Sequence, residues 1–284
     1  MRRTLHLVSA RDCLALRPLH REVLVKRMVA TLRRQLGGVD LDELARAGEA
    51  LFAREALTLP EAGRALQERW PQVAPRDLGD ALSSLVALVQ IPPRGVWGHA
   101  GPARNTTVAA WLGRDVTDPP PPPDAVVLRY LAAYGPAATA DMRAWSGLAG
   151  LRAAVDRLRP RLRSFRDERG RELLDLPGAP LPDPGTPAPP RFLPAFDNAV
   201  LAFDDRSRVI DAAHRGLSVE GARFLLVDGR VAATWTVEEG AALTIAPLVP
   251  IGRANRDAVV EEGERLLGFL APEAGRRGVQ WRAS

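Results

Sequence analysis

Seven arginines, Arg152, Arg159, Arg161, Arg163, Arg166, Arg169 and Arg171, fall within twenty consecutive residues. A guanidinium is a permanently charged planar fork that matches a phosphate's oxygens two at a time. Such density points to polyanion binding. With Arg157, residues 151–171 hold eight arginines against Asp156, Asp167 and Glu168, a net charge of +5. Residues 1–39, which include Arg2 and Arg3, hold nine basic and two acidic side chains, a net of +7. The whole chain carries +5, so the remainder carries −7. Two concentrated positive zones on an otherwise acidic chain suit nucleic acid first. One such run alone would read as a solvated helix face.

Other chemistry is sparser. Asp197 and Asn198 stand together in "LPAFDN". An aspartate there could stabilise an oxocarbenium-like sugar or orient water; Asp-Asn also closes a turn after a strand without any chemistry. Asp204, Asp205, Arg206 and Arg208 read as a salt-bridged turn. Cys13 is the only cysteine, which excludes an intrachain disulfide and a cysteine-rich zinc site. Near Leu14 and Leu16 it reads as a small apolar residue. His6, His20, His99 and His214 form no metal-ligand spacing, so neither metal nor cofactor is expected. Trp97 sits in a proline-glycine stretch where an indole could stack on a base; packing against its own domain is the simpler expectation. No apolar run approaches the roughly 20 residues of a membrane span, and no signal-peptide core follows the first arginines. The expectation is a soluble, cytoplasmic, nucleoid-associated monomer.

The elements that must position these residues form four segments. In residues 1–38, Arg3–Val8 alternates like a strand, and Ser9 with Asp12 forms an S-x-x-D helix start. A helix then runs from about Ala10, kinked at Pro18, to Leu36, with Arg17, Arg21, Lys26, Arg27, Arg33 and Arg34 on many sides. Residues 40–117 read as three helices, one capped by Thr58, and a hairpin around "VQIPPRGVWGHAG". After the spacer "DPPPPPD", residues 124–176 repeat that order: helix, short helix capped by Thr139 and stopped by Gly147, third helix, and a hairpin turning near Glu168–Gly170. Three helices and a hairpin are the parts of a winged helix-turn-helix, whose third helix enters the major groove while the wing follows the backbone. The proline-rich linker 177–190 leads to 191–284, which is strand-dominated with one helix near Arg253–Leu270. The fold class expected is α+β: tandem winged helix-turn-helix units followed by a small C-terminal β-barrel or sheet.

Several stretches, in order, carry a resemblance. "MRRTLHLVSARD", "LVQIPPRGVWG", "VLRYLAAYGPAATADMRAWSGL", "LRPRLRSFRDERGRELLDLP" and "RFLPAFDN" followed by "DRSRVI" are similar to winged-helix DNA-binding proteins that include the AlkZ/YcaQ-type DNA glycosylases. The resemblance implies tandem winged helices with a C-terminal barrel, double-stranded DNA as partner, and excision of alkylated bases or unhooking of interstrand cross-links. It places "RxTLH" on the active-site side, so Arg3 and His6 become site candidates, His6 for contact with a flipped base or a phosphate. An exposed strand histidine is the bland alternative. The family's water-positioning Gln-x-Gln (or Gln-x-Asp) pair has no counterpart here: Gln35, Gln67, Gln72, Gln90 and Gln280 each lack Gln, Asp or Glu two residues later. Met1 aligns with an internal methionine of the family, and the expectation is that it is internal to a longer ancestral chain. Two functions follow: an alkylpurine or cross-link glycosylase, or a non-catalytic winged-helix DNA-binding protein such as a damage sensor, a regulator or a degenerate relative.

Overall fold

The computed structural model describes residues 6–117, 119–238, 242–275 and 277–282. They fall into two compact units, one comprising residues up to Ala125 with Ser146–Ala154, the other Val126–Trp145 with the chain from Val155 onward.

The first unit is mainly helical. Helix α1 (Ala10–Leu19) starts where expected, with Ser9 Oγ accepting the Asp12 N–H at 3.1 Å. Pro18 lies inside it, the helix ends one residue later, and α2 (Arg21–Leu32) continues the path. The expected strand Arg3–Val8 lies partly outside the described residues. His6, Leu7 and Val8 belong to no strand, because no described strand lies beside them.

Helix α3 (Leu41–Arg54) is capped by Asp40, whose carboxylate accepts the Asp42 and Glu43 amides. Helix α4 (Leu59–Ala65) has a full capping box: Thr58 Oγ1 accepts from Glu61 N, and Glu61 Oε2 accepts from Thr58 N. Helix α5 (Pro75–Leu85) completes the trio. Leu44 and Phe52 on α3 and Leu78 and Leu82 on α5 recur at helical spacing and are fully buried with Met28 of α2. Gly63 is needed where α4 meets α5: a Cβ there would stand 1.8 Å from the Pro75 carbonyl oxygen.

Strands β1 (Leu88–Gln90) and β2 (Asn105–Thr107) pair antiparallel, Val89 opposite Thr106, and a short helix α6 (Val108–Leu112) follows. The hairpin was expected around 89–101, but its second strand starts at Asn105, after a loop of 14 residues. Asn-Thr-Thr carries little apolar signal. It is buried because Thr106 donates to the Phe52 carbonyl at 2.9 Å and Asn105 bridges to Leu57.

Helix α7 (Asp124–Tyr134) contributes Val126, Val127, Tyr130 and Leu131 to the interior of the second unit. Helix α8 (Thr139–Ser146) follows. Thr139 is its first residue and not its cap; Asp141 Oδ2 instead reaches back to accept the Ala138 N–H at 2.8 Å. Gly147, in the left-handed region at φ +69°, ends the helix. Helix α9 (Leu151–Leu158) runs across the boundary between the units and passes through a 3-10 turn at Arg159–Arg161. It leads to the hairpin β3 (Arg163–Arg166) and β4 (Glu172–Asp175), where Arg166 faces Glu172 and Phe165 faces Leu173.

The C-terminal part of this unit holds β5 (Arg191–Phe192), the one-turn helices α10 (Asn198–Leu201) and α11 (Leu217–Glu220), and strands β6 (Phe224–Val227), β7 (Arg230–Glu238) and β8 (Ala242–Pro247). Helix α12 (Arg253–Leu270) and strand β9 (Gly278–Trp281) close it. The strand order is β5-β6-β7-β8-β9, antiparallel except for the parallel β8–β9 pair that flanks the α12 crossover. Among the described residues this is an open mixed sheet, with β5 and β9 as edges, and not a closed barrel. Asp228 (φ 50°) and Gly229 (φ 74°) make the tight turn between β6 and β7. Val259 and Leu267 of α12 pack on Leu243, Ile245 and Trp235.

Candidate nucleic-acid interface

The β3–β4 hairpin gathers most of the second basic zone. Arg161, Arg163 and Arg166 are exposed and make no ion pair among the described residues. Arg163 lies over the ring of Phe165, two residues on along the same face, at 5.0 Å. Arg166 Nη1 donates to the Gly170 carbonyl at 2.9 Å, which fixes the guanidinium at the hairpin turn. Arg152 on α9 is exposed and also unpaired.

Other arginines of the set are already engaged. Arg159 donates to Glu172 Oε1 at 2.6 Å, and Ser164 Oγ donates to the same oxygen at 3.1 Å. These two bonds, that from Arg159 first, hold the Glu172 carboxyl below its ordinary pKa. Arg171 Nε donates to Asp167 Oδ2 at 3.0 Å. Arg169 Nη1 lies 2.9 Å from Asp205 Oδ2. The amide of Ser207, then its hydroxyl, then Arg169 hold Asp205 down to about 2.

These groups surround a cleft of about 420 Å³ within the second unit. Arg166, Arg169 and Arg171 stand on the hairpin side, Phe203, Asp205 and Arg208 on the other. The Arg208 guanidinium lies 3.9 Å from the centre of the Phe203 ring. Asp141, 1% exposed, faces the cleft. Its Oδ1 accepts the Asp204 N–H at 3.0 Å and lies 3.7 Å from Arg171. Among the described residues Asp204, Asp205, Arg206 and Arg208 make no ion pair with one another, so the salt-bridged turn expected there does not form: Asp205 pairs with Arg169 of the hairpin, and Arg206 donates to the Phe203 carbonyl and Ser218 Oγ. Asp141 had no sequence signal as a cleft residue. Its place three residues after Ala138 suggests only a cap.

Asp197 is not among the residues lining that cleft. It caps α10, with Oδ1 accepting the Ala199 N–H at 2.7 Å, while Oδ2 accepts no hydrogen bond among the described residues. Asn198 Oδ1 accepts the indole N–H of Trp145 at 3.0 Å, and Trp145 packs on Tyr130 and Tyr134. Phe196, just before this pair, has φ +60°, a conformation rare for a bulky side chain.

In the first unit, His6 is exposed on extended chain before α1. Arg2 and Arg3 lie outside the described residues. Arg17 is not available to a ligand: it donates to the carbonyls of Ser84 and Val86, at 3.1 and 2.9 Å, and so caps the end of α5. Lys26 pairs with Glu22. Trp97, expected to pack on its own domain, is 67% exposed. Among the described residues no three His, Cys, Asp or Glu side chains cluster as metal ligands. No helix is long and apolar enough to cross a membrane.

A family model described as "DNA glycosylase AlkZ-like" matches residues 1–269. The chain belongs to the AlkZ-like DNA glycosylase family. Among solved structures, the fold is similar to that of Streptomyces sahachiroi DNA glycosylase AlkZ, with a TM-score of 0.73 and 22% identity. That similarity covers 99% of this chain and 80% of the other. At this identity the likeness is one of fold. A search of curated protein sequences gives no match.

Proposed function

We propose that this protein binds duplex DNA through tandem winged-helix units and acts in the excision of alkylated or cross-linked bases by hydrolysis of the N-glycosidic bond. The order α3-α4-α5-β1-β2 recurs as α7-α8-α9-β3-β4, which supports winged-helix units over residues 40–117 and 124–176. Residues 1–38 are assigned as the remnant of a first such unit, and 191–284 as the β-rich C-terminal domain. The observation that carries the reading is the β3–β4 hairpin, where Arg161, Arg163 and Arg166 are exposed and make no ion pair within 4 Å among the described residues. Arg152 on α9 adds a contact from the third helix, and Arg2 and Arg3 are assigned to phosphates from the charge density of residues 1–39; Arg159 reaches phosphate only by exchanging Glu172 for it. Arg169 reaches phosphate by exchanging Asp205 for it.

For the chemistry, His6 is assigned to a flipped base or its phosphate. The free Oδ2 of Asp197 is assigned to the cationic sugar. An N7-alkylated purine is already a cationic leaving group, so the enzyme has mainly to hold water and stabilise the sugar. No cofactor is needed for this hydrolysis, and a monomer suffices. The second reading, a non-catalytic DNA-binding protein, is favoured by one observation: none of the 284 residues supplies a Gln-x-Gln or Gln-x-Asp pair.

One experiment separates them. The chain is incubated with duplex DNA containing N7-methylguanine, and both binding and free base are measured. Binding that weakens steeply between roughly 50 and 200 mM salt supports the wing assignment, and binding indifferent to salt overturns it. Free 7-methylguanine above the spontaneous rate establishes the glycosylase. Binding without release establishes the non-catalytic reading.

A further inference from the structure

The long loop between β1 and β2 has an unusual construction. It is stitched at its base by Ile91 N–H to the Arg104 carbonyl (3.0 Å), and across by Arg94 Nη1 to the Gly101 carbonyl (3.2 Å). Two small turns, Val96 N–H to Pro93 and His99 N–H to Val96, both at 3.1 Å, fold its tip. Gly95 (φ +86°) and Gly98 (φ +73°) take the left-handed conformations these turns require. Between the two glycines stand Val96, 45% exposed, and Trp97, 67% exposed. The loop therefore holds an apolar pair outward.

About two thirds of the indole surface faces solvent, and a tryptophan can cover about 150–250 Å² of a ligand. The surrounding charge says what kind of ligand that surface suits. Residues 88–113 contain no aspartate or glutamate. Arg104 is held by Glu61 through two hydrogen bonds, which leaves Arg94 and His99 as the other basic residues of the loop, His99 Nδ1 lying 3.0 Å from the Trp97 carbonyl. An aromatic ring on a hairpin loop, flanked by basic groups and free of acids, suits a nucleic acid with an opened base stack.

We propose that Trp97, supported by Val96, is a stacking wedge that enters a disrupted base step of duplex DNA and makes binding selective for unstacked sites. This rests on the duplex-binding reading above and adds a specificity-determining residue to it. Wing arginines bind any phosphate backbone, whereas the indole gains most where a base is already missing or displaced.

The test uses the full chain, as wild type, Trp97→Ala and Trp97→Phe. Each is titrated by fluorescence anisotropy against a labelled duplex, either fully paired or with one tetrahydrofuran abasic site. A 2-aminopurine placed beside that site reports stacking. The expected result is tighter wild-type binding to the abasic duplex with 2-aminopurine quenching. Trp97→Ala should lose about 5- to 100-fold there, from the usual worth of one aromatic–base stack, but less than about twofold on paired duplex. Trp97→Phe should recover most of the loss and the quenching. If Trp97→Ala binds the abasic duplex as tightly as wild type, the wedge is wrong while duplex binding stands. If wild type binds neither duplex, both readings fall. If size-exclusion chromatography shows that Trp97→Ala dissolves a dimer with DNA binding unchanged, the loop contacts a second copy and the wedge is overturned.

Discussion

Arg169 and Asp205 lie 36 residues apart in the chain, and their charged atoms are 2.9 Å apart. The arginine side chain is 73% exposed and the aspartate 25%. A pair this open contributes roughly 1 kcal/mol or less to stability. Its larger consequence is for the proposed binding mode, in which Asp205 occupies a cation that a DNA phosphate would take. Asp205→Asn should therefore leave the melting temperature within a few degrees of wild type and tighten duplex binding several-fold at low salt. Anisotropy titrations of the two proteins decide it; weaker binding by the variant would mean that Arg169 must stay on Asp205 to hold the wing in place.

Arg161 and Arg163, just before and at the start of β3, are exposed and make no ion pair among the described residues. Each phosphate contact contributes about −0.9 to the slope of log K against log salt on duplex DNA. The double substitution Arg161→Ala and Arg163→Ala should make that slope shallower by about 1.8 and weaken binding uniformly across duplex sequences. An unchanged slope removes the wing from the interface.

The β3–β4 hairpin was legible because two signals coincided. Hairpin composition and arginine density fell on the same residues, and both follow from local sequence. The caps at Ser9 and Thr58 and the bounds of α12 are local in the same sense. What escaped is long-range. Arg17 looked like one more surface cation, but it caps α5 some 67 residues away. Strand β2 has no apolar alternation because its Thr and Asn side chains are buried by hydrogen bonding to Phe52 and Leu57. The Arg3–Val8 alternation predicted a strand, yet pairing is a property of a neighbour, and His6–Val8 have none among the described residues. Asp141 shows the same limit, since its role in the cleft depends on Asp204 and Arg171 arriving from elsewhere.

The Asp205 carboxyl sits at about 2 in the folded protein, against roughly 4 in an unfolded chain. A depressed folded value means the carboxylate stabilises the fold fully above about pH 4, and this is lost as pH falls towards 2. Glu172 is displaced in the same direction by Arg159 and Ser164. The hairpin should thus keep its ties through mildly acidic conditions and release them only under strong acid. Thermal unfolding followed between about pH 2 and pH 6 tests this. Asp205→Asn should flatten the acid limb of the profile, and an identical profile in the variant would show that the Asp205 carboxylate, held by Ser207 and Arg169, contributes nothing there.

The crossing of α4 and α5 offers a test of the fold that does not involve DNA. At Gly63 a methyl group would meet the Pro75 carbonyl oxygen at 1.8 Å and the Gly79 nitrogen at 3.2 Å. Both are backbone atoms, so no side chain can swing aside, and the helices must separate. Helix propensity alone favours alanine over glycine by about 1 kcal/mol, so the two effects oppose each other. Separating packed helices around the buried Leu78 and Leu82 costs about 1–3 kcal/mol, or more where backbone must move. The clash should win, and Gly63→Ala should lower the urea midpoint of the first unit with little change in slope. A variant as stable as wild type would show that α4 and α5 do not approach this closely. Alanine at the exposed Arg76, by contrast, removes only a 3.9 Å contact to Asp80 and should be nearly silent in the same assay.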